Sequence, residues 1–361
     1  MAAVLVGASC TGGQQPAMPS SRPTPSITVI PSSTPSVAVR EQIVLNVFLS
    51  EPVTPWRRVA FLRFGEARGE LGVVTDPNRT PIPYIPRSFD IDPDGSIWIL
   101  DVVKKRVAHF DRSGRFIGAI EGFRFDRLSP HPRDLAVSSG HVHVLEEVGD
   151  RTANVVVASS DGMLVRRLIQ DRGKTVTVSY LFRLAGGVGA AVGGYVEPAE
   201  GLGPSGHARL VLEGGGRVQV LPGIPVASNS WIQADFGDTD DVLGVLETVG
   251  GSATEQPIKL VVRPRPEASA IPAVWGGAVL VPIDQAIGIF ARVSPVDPAD
   301  AERYGGARWF MRVGRGALIF ERLPDNEISD EELVRPIAAG PDGSPYLMLI
   351  RKKGVEILRR P

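Results

Sequence analysis

The segment from Arg87 to Ile120 holds four short strand patterns joined by turns, and weaker copies of it recur along the chain. A repeat of this kind restricts the architecture more than any single motif, because each unit has an apolar face that only a neighbouring copy can cover. Phe89 and Ile91, then Ile97 and Ile99, alternate with polar or small residues, the period-2 signal of a strand. Pro93-Asp94-Gly95 between them makes a turn: Pro presets φ, Asp bonds to the local backbone, and Gly takes a positive φ. Val107 and Phe110 mark a third strand, Asp111-Arg112-Ser113-Gly114 a second turn, and Phe116 to Ile120 a fourth strand. Four antiparallel strands on tight turns form a meander.

Pro132-Arg133-Asp134-Leu135-Ala136-Val137 matches Pro86-Arg87-Ser88-Phe89-Asp90-Ile91 position for position. Strand patterns follow at His141 to Leu145, Asn154 to Ala158 and Leu164 to Ile169. In the last copy, Arg335 to Gly343 keeps the spacing of Arg87 to Gly95, and Pro345 to Ile350 and Gly354 to Leu358 follow as strands. Three more degenerate units lie between, at Phe182 to Val220, Trp231 to Val262 and Val274 to Phe320, with long loops at Tyr195 to Gly206 and Val293 to Tyr304. Six units over about 300 residues fit the roughly 40–50 residues of a four-stranded blade. The last unit shows three strands only. Val59 to Phe64 is a spare strand that would complete it and remove exposed edges.

The run Pro-Arg-x-Φ-x-Φ, Asp-Gly, Ile-Trp-Ile-Leu-Asp, Arg106-Val-Ala-His-Phe-Asp and Ser-Gly resembles an NHL-type repeat. The resemblance is strongest over Arg87–Ile120, weaker over Pro132–Ile169 and the last unit. It implies an all-β fold, a six-bladed β-propeller closed by pairing an N-terminal strand with the last blade, around a central channel. It implies no single activity, because such propellers serve as binding scaffolds, hydrolases and lyases alike.

The only cysteine, Cys10, follows an apolar run, Ala2 to Ser9, that ends in small residues. It precedes a Pro/Ser/Thr-rich stretch without Asp or Glu that reaches about Arg40. This pattern resembles a bacterial lipoprotein signal and implies lipidation at Cys10. The expected organisation is a signal-like segment over 1–10, a semi-extended linker over 11–40 and the propeller over 41–361. A lone cysteine means that disulfides do not staple the fold. The 361-residue chain carries a net charge of −1, which argues against a nucleic-acid partner. No apolar run approaches the roughly 18 residues of a membrane span, so a lipid anchor is the expected membrane contact.

Arg87, Arg133, Arg335 and Arg183 are read at one place, just before the innermost strand, facing the channel mouth. Two readings follow. Converging guanidiniums could present forked donors to a carboxylate, phosphate or sulfated sugar. Alternatively each Arg pairs with an acid such as Asp101, Asp134, Glu146 or Glu147 and rivets blades together. Lys104-Lys105 and Glu146-Glu147 flank the same face. Trp231 and Trp275 each open an inner-strand candidate and could stack sugar rings, or pack between blades.

Other constellations carry less. Asp90-x-Asp92-x-Asp94-Gly95 with Asp101 has the spacing of a calcium loop, but Ile97 to Leu100 reads as a strand where such a loop leads into a helix. His141-x-His143 lacks an identifiable third ligand. Gly187 to Gly193 misses the dinucleotide spacing and reads as a glycine-rich inner strand. No metal and no cofactor is assigned. The expected protein is a monomeric extracytoplasmic binding module, its partner a small anionic ligand or another envelope protein. The alternative is a metal-dependent hydrolase or lactonase with its metal on the channel axis.

Overall fold

The computed structural model describes residues 41–46, 56–75, 78, 82–123, 131–148, the strands between 152 and 322, and residues 323–329 and 333–361. Among the described residues there is strand and turn but no helix, and the strands form six sheets.

The first sheet runs Phe89–Ile91, Ile97–Asp101, Arg106–Phe110, Phe116–Ile120, each strand antiparallel to the last. The second is His131–Ser138, His141–Val148, Thr152–Ser159, Leu164–Arg167, and the third Val178–Leu184, Gly187–Val192, His207–Leu212, Gln219–Leu221. The fourth starts at Ile224–Ala227 and continues through Ser230–Phe236, Val242–Val249 and Ile258–Arg263, with Ser252–Ala253 paired to its third strand. The fifth is Ala273–Ile283, Ala286–Pro295, Ala307–Gly314, Ala317–Arg322. The sixth takes Ile337–Ala339, Pro345–Arg351 and Gly354–Arg359 from the end of the chain and Arg57–Arg63 from near its start.

The leading strands of successive sheets pack side by side. That of the sixth lies against the first, the first against the second, the second against the third, and the fifth against the third, fourth and sixth. Meanders set round a hub of leading strands are a β-propeller. Its core lies in the seams. Phe89, Ile91, Ile97, Ile99 and Phe110 meet Met348, Ile350, Val355 and Ile357 between the first and sixth sheets. Trp98, Leu100 and Val107 meet Leu135, Val137, Val142 and Val144 between the first and second. A sheet sandwiched on both sides buries both faces, so all five residues of Ile97–Asp101 are buried.

The turns repeat one device. Asp94, Asp111 and Asp342 each accept a hydrogen bond from the backbone N–H two residues on, at 2.8, 2.9 and 3.2 Å, from Ser96, Ser113 and Ser344. Gly95, Gly114 and Gly343 supply the positive φ, at 84°, 86° and 75°.

Closure follows the expected strand, shifted to Arg57–Arg63. It pairs antiparallel with Gly354–Arg359, from Arg57 opposite Arg359 to Arg63 opposite Gly354. Trp56 precedes it and packs edge-on to Phe310, ring centroids 5.5 Å apart, in the seam of the fifth and sixth sheets. Two expectations are corrected. The glycine-rich Gly187–Val192 is the second strand of its sheet, because Val178–Leu184 takes the hub position. Trp231 likewise falls in a second strand, Ser230–Phe236, behind Ile224–Ala227. An additional strand, Glu41–Asn46, pairs parallel with Ile258–Arg263 at the outer edge of the fourth sheet.

Candidate functional site at the hub

The leading strands are stitched to one another by side chains accepting main-chain amides. Ser88 Oγ accepts the N–H of Leu135 at 3.2 Å, and Asp134, its counterpart one unit later, accepts the N–H of Leu181 at 2.6 Å. Asp90 Oδ2 accepts the N–H of Val137 at 2.8 Å. Each of the three reaches a residue 47 positions further along the chain. A polar residue beside the hub thus satisfies an amide that the neighbouring strand cannot pair within its own sheet.

Arg335 is buried, at 1% exposure. Its Nε donates to both oxygens of Asp134, at 3.1 and 3.2 Å, and Nη1 donates to the Ile337 carbonyl at 3.1 Å. Nη2 donates to the Leu135 carbonyl, and Asp90 Oδ1 lies 4.0 Å from Nη1. Arg335 therefore links the sixth sheet to the second across the first. Burial pushes the Asp134 carboxyl upward, and the Arg335 guanidinium and the amide of Leu181 pull against it.

The arginines do not converge as one donor set. Arg335 is occupied inside the hub, in the arrangement of the second reading, an Arg paired with Asp134: a buried guanidinium is held by the acceptors that desolvate with it. Arg183 does not share the place of Arg87 and Arg335. The Leu135–Leu181 equivalence sets it at the far end of its strand, level with Ile91 and Ala339. There Nη1 donates to the Ile91 carbonyl and Nη2 to the Ala339 carbonyl, the latter at 2.5 Å. Arg87 is half-buried and donates from Nη1 to the Pro132 carbonyl at 3.2 Å; Arg133 is half-buried in the equivalent position of the second sheet. Trp275 lies in the leading strand of the fifth sheet. The side chains of Trp231 and Trp275 and all of Cys10, with residues 1–40, lie outside the described residues.

The calcium-like spacing is taken apart by the fold. Asp90 holds amides in two sheets, Asp94 caps its turn, and Asp101 accepts from Gly72, Lys104 and Arg106. Asp92 is half-buried, and burial, then the Asp94 carboxylate, raises its carboxyl above the ordinary range, while the Arg183 charge pulls the other way. His143 is buried in the second sheet, whereas His141 is half-buried with Nδ1 3.0 Å from the Ser139 carbonyl. Lys104 and Arg106 collect main-chain carbonyls of residues 67–70: Lys104 Nζ bonds Ala67 and Glu70 at 2.7 and 2.9 Å, and Arg106 bonds Arg68 and Glu70 at 2.6 and 2.5 Å. Sequence reasoning missed this loop, because its acceptors are carbonyls that no residue type advertises. Among the described residues no group of three or more His, Cys, Asp and Glu side chains could hold a metal ion.

A family model described as a domain of unknown function (DUF7485) matches residues 54–124, the closing strand and the first sheet. No curated protein matches the chain. Among solved structures, the chain is similar to hydrazine synthase of Kuenenia stuttgartiensis (14% identity over 73% of each chain, TM-score 0.44). It is also similar to the PQQ-bound aldose sugar dehydrogenase of Streptomyces coelicolor (12% identity, 84% of this chain and 96% of that one, TM-score 0.46). A third is virginiamycin B lyase of Staphylococcus aureus (12% identity, 80% and 99%, TM-score 0.40). At these identities the similarities say nothing of activity.

Proposed function

We propose that the six sheets are the blades of a six-bladed, NHL-like β-propeller, held outside the cytoplasm by a lipidated Cys10, and that it binds a protein partner of the cell envelope through its outer surfaces. What carries the reading is that the hub is occupied among the described residues. Arg335 and Arg183 cross it, and the acceptors they use are Asp134 and the carbonyls of Ile91, Leu135, Ile337 and Ala339. A hydrolase or small-ligand receptor of this architecture needs inward groups that a ligand can reach. Here the carboxylates of Asp90 and Asp134 are engaged by main-chain amides.

Two measurements test it. Labelling cells with radioactive palmitate should mark the wild-type chain and leave Cys10→Ser unmarked. Photo-crosslinking in the native envelope, from probes placed on exposed turns, should give adducts with one defined protein. A stoichiometric divalent metal in the purified chain, together with ester or lactone hydrolysis, would establish the enzymatic alternative instead.

A further inference from the structure

In a chain of net charge −1, segments 57–63 and 351–360 carry eight arginines and lysines against one acid, Glu356. The fold makes these segments adjacent: they are the two outermost strands of the sixth sheet and the turn between its last two terminal strands. Arg57, Arg58, Arg63, Lys352 and Lys353 are exposed, and the Arg58 side chain is 63% accessible. Part of the charge is neutralised internally. Arg58 and Arg351 share Glu356, Arg359 pairs with Asp342, and Arg360 with Glu321. Among the described residues no carboxylate lies within ion-pair distance of Arg57, Arg63, Lys352 or Lys353. Between the arginines stands Phe61, one of the large apolar side chains left exposed, at 36%.

We propose that this rim is a membrane-contact edge. Arg57, Arg63, Lys352 and Lys353 engage the anionic headgroups of a phospholipid bilayer, and Phe61 enters the interfacial layer between them. The proposal deepens the tethered reading above and rests on it for the nearness of a membrane. An acidic protein strand fits less well. The pairing of Arg57–Arg63 with Gly354–Arg359 shifts register between Arg58 and Ala60, and the Arg63 carbonyl already accepts the Leu71 amide, so the outer edge offers an added strand no regular ladder. A lipid surface needs no ladder; it needs accessible cations and an amphipathic anchor.

The test is vesicle co-sedimentation of the full chain carrying Cys10→Ser, so that no acyl chain contributes. The protein should sediment with vesicles of phosphatidylglycerol and phosphatidylcholine, stay soluble with phosphatidylcholine alone, and be released by added salt. Each basic residue near an anionic surface is worth about 1 kcal/mol, or roughly fivefold in partitioning. Lys352→Glu with Lys353→Glu should therefore weaken binding by well over tenfold, and Phe61→Ser should weaken it without changing its salt dependence. Arg112→Glu, an exposed cation on the first sheet, is the control and should bind like the parent. All variants should unfold as cooperatively as the parent. Absence of binding to anionic vesicles, equal binding to neutral ones, or equal loss in Arg112→Glu overturns the proposal. So does soluble polyglutamate competing as well as vesicles, which would mark an acidic protein as the occupant. Because the acyl site is removed, a negative result leaves the palmitate experiment to judge the tether separately.

Discussion

Arg335 Nε lies 3.1 Å from Asp134 Oδ1, and the two residues belong to sheets that are not neighbours in the ring. Both side chains are buried, so removing either leaves the other a charge without its counter-ion, held mainly by main-chain groups. Arg335→Ala and Asp134→Ala should each cost about 3–5 kcal/mol in urea unfolding. The double replacement Arg335→Met/Asp134→Leu should cost far less than the two losses combined, because it leaves no uncompensated charge. Additive losses would mean that the pair is not coupled across the hub.

Arg183 offers a second test of the hub. Its guanidinium bonds the carbonyls of Ile91 and Ala339, in the first and sixth sheets. Arg183→Met keeps the stem and removes both bonds, with an expected loss of about 1–3 kcal/mol. If Arg183 instead served a ligand, the variant would keep its stability and lose affinity for inorganic phosphate in titration calorimetry.

Ring closure leaves no room at Gly354. A Cβ there would lie 2.3 Å from the Leu62 carbonyl oxygen on the paired strand. Gly354→Val should separate the closing strand and open the chain near Arg57 to limited trypsin digestion, while the first sheet stays protected. Digestion identical to wild type would contradict the pairing.

His109 should make stability pH-dependent. Its ring stacks on Trp98, centroids 3.7 Å apart and planes 8° from parallel. Burial holds its pKa below the ordinary 6.5, and the Asp94 carboxylate draws it partly back. The unfolded chain therefore takes up the proton first. The stability involved is complete above pH 6.5 and is lost as pH falls from there through the folded pKa. His109→Phe keeps a stacking ring and should flatten urea stability over that interval. An unchanged slope would place the titrating group elsewhere.

The first sheet was legible nearly strand for strand because its turns announce themselves: Asp, Gly and Ser recur where a positive φ and a local cap are needed. The closing strand was legible as a run with no partner in its own unit. Arg183 shares the residue type of Arg87 but not its register, which is set by amides such as that of Leu181 meeting Asp134. Ile224–Ala227, short and containing Pro225, carries no strand pattern, so the next run, with Trp231, reads as the leading strand in its stead. Glu41–Asn46 pairs with Ile258–Arg263, so remote in sequence that no local pattern links them. The guanidiniums were visible as chemistry, but their acceptors are mostly carbonyls, which the sequence does not distinguish.

The closed ring is tested most directly by a disulfide across its seam. Phe61 and Glu356 are direct partners between the strand near the start of the chain and the last strand. In a Cys10→Ser background, Phe61→Cys/Glu356→Cys should oxidise within one molecule, migrate faster on a non-reducing gel and resist urea better than its reduced form. Free thiols after oxidation, or cross-linked dimers instead of the internal bond, would contradict a chain whose two ends share one sheet.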